Sequence, residues 1–198
     1  MRAKIVMLLG TTLLTGGAVA LLVRYLAGLW LFAAQATCSP VLQGHALLLR
    51  ADVNLRADDG TTPLMAAAAS GCGWNLLELI SLGADVNAQN HYGETALSKA
   101  AARGDVAILR LLLKHGAGAS VNIPARLHKV TPLMQATIAG HTRAVRLLLQ
   151  AGADLSARDF RGRTALDYAQ QGTSPEHRVI ARLIKDRLQQ EKPKAGAQ

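Results

Sequence analysis

Four threonines in one frame decide what this chain can fold into. Thr62, Thr95, Thr131 and Thr164 stand 33, 36 and 33 residues apart. They sit inside Gly60-Thr-Thr-Pro-Leu64, Gly93-Glu-Thr-Ala-Leu97, Lys129-Val-Thr-Pro-Leu133 and Gly162-Arg-Thr-Ala-Leu166. A second element keeps the same beat: Ala51-Asp-Val-Asn54, Ala84-Asp-Val-Asn87, a stretched Gly118-Ala-Ser-Val-Asn122, then Ala153-Asp-Leu-Ser156. Gly71, Gly104 and Gly140 come nine residues after their threonines, and Gly83, Gly116 and Gly152 follow twelve residues later. A period of this length marks a chain built by stacking one small unit on the next.

The unit itself is legible. Thr at the N-cap, with Pro at the first helical position in two copies, starts a short helix. Ala66–Ala69, Ala100–Ala102 and Ala136 keep that helix thin, so neighbours can approach closely. The first glycine ends it. A second helix follows with a leucine-rich face, with Asp105 and Thr142 at its start in two copies, and the second glycine supplies the left-handed turn into a loop. Such a pair cannot bury its leucines alone and must stack. Four copies account for about 132 of the 198 residues. Composition agrees with a small-residue helical solenoid: half the residues are apolar and 18% are charged, which excludes a disordered chain. Only 4% are aromatic, which argues against a β-sandwich or an aromatic nucleic-acid platform.

These residues resemble the ankyrin repeat, whose pattern runs D-x-x-G-x-T-P-L-H-x-A-A-x-x-G and then V-x-x-L-L-x-x-G-A-D-V-N. The resemblance covers residues 43–189. It implies an all-α solenoid of helix-turn-helix units with finger loops. The expected division is a linker and half-length cap over 37–57, repeats over 58–90, 91–126, 127–159 and 160–190, and a disordered tail over 191–198. The departures predict local differences. The histidine of the T-P-L-H motif is replaced by Met65, Ser98, Met134 and Asp167, so its hydrogen bonds are lost or replaced. Lys129 stands where a turn glycine is expected, after a three-residue insertion between Gly116 and Thr131, which predicts an irregular loop. Ser174 and Pro175 open a last helix over 176–189 whose polar face (Arg178, Arg182, Lys185, Asp186) closes the stack.

Residues 1–36 read differently. A positive start (Arg2, Lys4) precedes Ile5–Val23, 19 residues without charge, and after Arg24 and Tyr25 the apolar run resumes over Leu26–Ala34. Nineteen helical residues rise about 28 Å, enough to cross a bilayer core. An uncleaved signal anchor and a cleaved signal peptide both suit this segment, the second because Ala18-Val-Ala20 and Ala34-Gln-Ala36 offer cleavage-like spacing. No Lys or Arg follows Arg24 until Arg50. The bias therefore keeps the N-terminus in the cytoplasm and sends the repeats across a bacterial-type inner membrane to the periplasm.

Net charge is +9. It is spread over the two termini and the repeat region rather than gathered in one sequence block, which speaks against nucleic acid as the partner. The six histidines show no i, i+4 pairing, so neither a metal nor a cofactor is expected. No Ser/His/Asp or Cys/His signature is present, and an open solenoid offers little enclosed pocket for catalysis. Subtracting one repeat from Cys72 gives position 39, so Cys38 falls beside the equivalent place in the preceding half-copy. In an oxidising compartment a Cys38–Cys72 disulfide is expected, against the alternative of two separate thiols.

The expected function is protein–protein binding without a reaction; a periplasmic inhibitor or immunity-type binder and, less well supported, an enzyme are the alternatives. The resemblance implies a concave binding face of loop tips and first-helix residues. By position these are Asp58, Asp59, Thr61, Ser70, His91, Tyr92, Glu94 and Arg103, then Leu127, His128, Val130, Ile138, Phe160, Arg161, Arg163 and Gln171. Tyr92 and Phe160 are the natural anchors of a face that runs from acidic to basic.

Overall fold

Each of the four threonines caps a helix. The computed structural model describes residues 52–191, together with Leu26 and Leu29. The proposed span Ile5–Val23, Cys38, the tail after 191 and most of the half-length cap lie outside these residues. Among the described residues no helix is long and apolar enough to cross a membrane.

The inner helices are α1 (Pro63–Ser70), α3 (Ala96–Arg103), α5 (Pro132–Ile138) and α7 (Ala165–Gln171). The outer helices are α2 (Gly73–Ser81), α4 (Val106–Lys114), α6 (Thr142–Gln150) and α8 (Pro175–Glu191). Each inner helix packs on its own outer partner and on the inner helix of the next copy, and the outer helices pack in the same order. No strand occurs among the described residues. The described residues thus form an all-helical stack of four pairs, and their core is the seam between the two rows.

The core follows the repeat. Leu64, Leu97 and Leu133, the leucines of the threonine motif, are buried, as are Leu76, Leu79, Ile108, Leu109, Leu112, Val145, Leu148, Ile180 and Ile184 from the outer row. Ala67, Ala68, Ala100, Ala101, Ala136 and Ala169 are buried where inner helices meet. Leu166, in the fourth copy, is only partly buried and packs against the core.

The capping chemistry alternates along the stack. In the first and third copies Thr62 and Thr131 accept the backbone N–H of Met65 and Met134 at 3.3 Å, Pro fills the first helical position, and both methionines are buried as apolar filler. In the second and fourth copies Ala replaces Pro, and Ser98 and Asp167 complete capping boxes. The Thr95 N–H donates to Ser98 Oγ at 2.9 Å and the Thr164 N–H to Asp167 Oδ2 at 2.7 Å. The motif's missing histidine is therefore replaced in two ways, one apolar and one polar. Asp105 caps α4 by accepting from Ala107 and Ile108, whereas Thr142 opens α6 one residue past the cap position held by His141.

Gly104 shows why the first helix must end in glycine. Its φ is +77°, and a Cβ there would stand 2.4 Å from the His141 ring, which crosses from the next copy. The three-residue insertion splits into two parts. Two residues are taken up by a short 3-10 helix, Ala117–Ser120, and one lengthens the third finger loop. In the other fingers the turn closes over three residues, as in Gly60 N–H to Ala57 O at 2.8 Å; in the third it closes over four, Lys129 N–H to Ala125 O at 2.8 Å. Lys129 takes the glycine's left-handed conformation with φ +53°, the single non-glycine residue among those described to do so.

Candidate functional site

The finger loops form one continuous edge because each bonds to the next. His91 N–H donates to Asp59 O at 2.9 Å, Arg126 N–H to Tyr92 O at 2.7 Å, and Phe160 N–H to His128 O at 3.1 Å. Backbone bonds of this kind fix the spacing of the tips before any partner arrives, which removes part of the ordering cost of binding. On this frame the side chains divide into two groups.

The first group holds the loops. Asp59 accepts from the Thr61 N–H at 2.9 Å and hydroxyl at 2.8 Å, and these bonds, against a smaller effect of burial, hold its carboxyl below the usual range. Glu94 pairs with Lys99 and accepts from Asn90; burial pushes its carboxyl up, and these two bonds bring it down below normal. Arg103 reaches back to the Ala69 carbonyl at 3.2 Å, tying α3 to the copy before it. Val130 packs against the core. Arg163 bonds Asp159 and lies over the Tyr168 ring at 4.4 Å. Ser70 is half-buried at the end of α1.

The second group points outward. Asp58, His91, His128, Arg161 and Gln171 are exposed. Tyr92 is 54% exposed, Phe160 53%, Leu127 72% and Ile138 46%, an unusual concentration of large apolar side chains in solvent. Phe160 is flanked by the His128 ring at 5.3 Å and by the Arg161 guanidinium at 5.1 Å from its centroid. The third and fourth fingers thus present an aromatic-apolar cluster edged by cations.

Sequence reasoning missed what carries the fourth finger. Asp159 is buried at the loop's base, where it accepts the Arg161 and Arg163 N–H groups at 2.8 Å, the Arg163 Nε–H at 3.0 Å and the Tyr168 hydroxyl at 2.7 Å. Burial alone would raise its carboxyl, but the bonds from Tyr168, Arg163 and Arg161 outweigh it and hold the group far below the ordinary 3.8. Asn90 does the equivalent work in the second finger, accepting from Tyr92 and Glu94. The aspartate of the D-x-x-G pattern was the available signal. Its partner, Tyr168, came from a helix position that carried none.

His141 and His177 act as ties between copies. His141 Nε2 meets the Ala102 carbonyl at 3.1 Å, and His177 Nε2 meets the Ile138 carbonyl at 3.3 Å, each at the end of the preceding copy's inner helix. Among the described residues no group of His, Cys, Asp and Glu converges as a metal site would require. An open cleft lined by Asp105, His141, Thr142 and Glu176 runs along the starts of the outer helices, and its histidine is the one committed to Ala102. Cys72 is buried and disulfide-bonded; its expected partner, Cys38, lies outside the described residues.

Comparison with known proteins agrees with this architecture. The family described as Ankyrin repeats (3 copies) matches residues 31–125, 74–159 and 121–192 in overlapping registers. The first match begins at residue 31, ahead of the half-length copy read from the sequence. The chain is 39% identical over 144 residues to Ankyrin repeat and SAM domain-containing protein 6 of Rattus norvegicus, covering 73% of this chain and 12% of that protein. It is 45% identical over 62 residues to human Palmitoyltransferase ZDHHC17, covering 31% of this chain and 10% of that one. It is 52% identical over 52 residues to Protein HOS4 of Saccharomyces cerevisiae, covering 26% and 5%. The chain therefore spans only 5–12% of the length of these relatives. With matches that span most of its length and helix pairs in the expected register, the chain belongs to the ankyrin-repeat family.

Proposed function

We propose that the chain is a non-enzymatic protein-binding scaffold whose binding edge is the row of finger tips, anchored by Tyr92, Leu127 and Phe160. The observation that carries the reading is the exposure of these side chains on loops already bonded to one another. Ankyrin repeats are protein–protein interaction modules, and rigid, exposed aromatic residues beside arginine are the usual energetic centre of such contacts. Replacing Tyr92 and Phe160 together by Ala should abolish partner capture, read by crosslinking in intact cells with mass spectrometry. Helix content and melting should change little, because exposed rings contribute little to stability. Normal capture by the double variant would show that the edge is misassigned.

The proposal extends to location. Ile5–Val23 tethers the chain to an inner membrane, with the repeats in the periplasm; the support is the Lys/Arg surplus at the extreme N-terminus. A reporter active only in the periplasm, fused after Gln189, should be active. Activity of a cytoplasm-only reporter at that junction would reverse the topology.

A further inference from the structure

We propose that the outer-helix face of the solenoid docks on an anionic lipid surface. The finger edge described above is not involved. The sequence shows no basic block, but stacking makes a row. Leu77, Arg110 and Arg146 each lie fifteen residues after their threonine, and Arg182 follows Arg146 by the same 36 residues that separate Arg110 from Arg146. All four are exposed, and they come from α2, α4, α6 and α8, which pack in that order. Neighbouring helices lie about 8–10 Å apart, so the three guanidinium groups span on the order of 20 Å.

Two features separate this row from an ordinary solvated surface. The first is an excess of cations without close ion pairing. The ion pairs among the described residues are Lys99–Glu94 and Arg163–Asp159, both at the finger edge, and none involves Arg110, Arg146 or Arg182. Helices α2, α4 and α6 together carry a single carboxylate, Glu78, against four cations, and α8 carries Glu176, Asp186 and Glu191 against Arg178, Arg182, Lys185 and Arg187. Arginine remains charged at any physiological pH, so the row is a permanent cation ladder.

The second feature is the apolar head of the row. Trp74 is 46% exposed and Leu77 47%, side by side on α2, with Leu82 exposed just past its end. Exposed Trp and Leu continuous with arginine match the chemistry of a headgroup region: the ring and leucine enter the acyl boundary while the guanidinium groups stay on phosphate. A nucleic-acid backbone would use the cations but gives the leucines nothing to bury in. Chain order agrees, since among the described residues α2 is the outer helix nearest in sequence to the apolar segments Ile5–Val23 and Leu26–Ala34, the second of which ends about 40 residues upstream. Delivery to the bilayer rests on the tether proposed above; the docking face stands on its own charge and exposure.

The test uses the full chain with Trp30→Phe, which leaves Trp74 as the one tryptophan. The protein is incorporated into phosphatidylcholine vesicles with or without phosphatidylglycerol, each carrying a quencher near the headgroup. Trp74 emission should shift to the blue and be quenched in the anionic vesicles only, and high salt should reverse both. Reversing the ladder (R110E, R146E and R182E together) should abolish the quenching, a loss of affinity on the order of 100-fold if each arginine contributes as near-surface basic residues do. The Arg→Gln version should be intermediate. Both variants should melt as the parent does by circular dichroism. Equal quenching in neutral and anionic vesicles, or quenching that survives charge reversal, overturns the proposal. So does a gel shift of duplex DNA that the reversal removes while lipid behaviour stays unchanged. Flotation separates the two membrane claims. A chain that floats with Trp74 unquenched refutes the docking and keeps the tether. A chain that floats only with anionic vesicles, Trp74 quenched, refutes the tether and keeps the docking. A chain that floats with neither refutes both.

Discussion

At the scale of single residues, Asp159 does the most work for its size. It accepts from four donors at the base of the fourth finger, and so sets the position of Phe160 and Arg161 above it. Its folded-state carboxyl lies well below the ordinary 3.8, and Asp59, Asp154, Asp167 and Glu94 are shifted the same way. A depressed carboxyl contributes stability that is present above its unfolded value and lost as pH falls toward the folded one. The melting temperature should therefore hold between about pH 5 and 8 as far as these groups are concerned, and fall progressively below about pH 4. Asp159→Asn should lower melting at neutral pH, because the amide cannot satisfy both Tyr168 and the Arg163 guanidinium. It should also flatten the fall on the acid side. Thermal melts across pH would decide it: parallel acid limbs in the two proteins would show that Asp159 is not a main source of the slope.

At the scale of elements, the copies are joined by a polar ladder as well as by leucines. Asn54 Nδ2 donates to Gly83 O at 3.1 Å and its Oδ1 accepts the Asp85 N–H at 2.8 Å; Asn122 repeats the pattern with Gly152 O at 3.2 Å and the Asp154 N–H at 2.8 Å. Asn87 keeps the first half, to Gly116 O at 3.0 Å. Its Oδ1 accepts the Ser120 hydroxyl instead, at 2.6 Å, because the inserted 3-10 helix occupies the place of the usual backbone donor. Asn122→Ala should cost about 1 kcal/mol, since it removes both bonds that tie Asn122 to the Gly152 carbonyl and the Asp154 amide of the turn after the third copy. Chemical denaturation would read it, and a loss under about 0.5 kcal/mol, the size of an ordinary surface substitution, would remove the ladder from the account. Much of this was legible beforehand. The asparagines kept the beat of the threonines, and the threonine caps and left-handed glycines fell where the spacing put them. What could not be read was which exposed-looking finger residues serve the loop itself. Asp59 shares its pattern position with the exposed Tyr92, His128 and Arg161, and only its bonds to Thr61 tell it apart; Glu94, Arg103 and Arg163 are likewise marked as loop residues by their contacts with Lys99, Ala69 and Asp159. The arginine row was hidden for the same reason: residues 36 apart in sequence become neighbours only when the copies stack.

At the scale of the whole molecule, a solenoid is weakest at its ends, because a terminal copy has a neighbour on one side only. The C-terminal end is closed by α8, whose Ile180 and Ile184 are buried and whose outer face is polar. The opposite end calls for a different device, and Cys72 stands where one would act. Cys72 and His141 occupy the same place in their copies, ten residues after Thr62 and Thr131, and His141 uses that place to reach back to Ala102 in the preceding copy. The next tie, Arg103 to the Ala69 carbonyl, spans 34 residues of sequence, as Cys72 to Cys38 would. We infer that Cys38–Cys72 is the covalent form of this tie at the end of the stack, where a hydrogen bond alone would leave the first copies free to fray. Closing a loop of this length is worth about 3–4 kcal/mol in the chain-entropy model. The denatured, unreduced protein from an oxidising compartment should titrate no free thiol and run as a monomer. Cys38→Ser should lower its melting temperature by roughly 10 °C, with reductant lowering the parent to the same point and leaving the variant where it is. Two free thiols in unreduced protein, or a disulfide-linked dimer, would break the tie and leave the first copy held by packing alone.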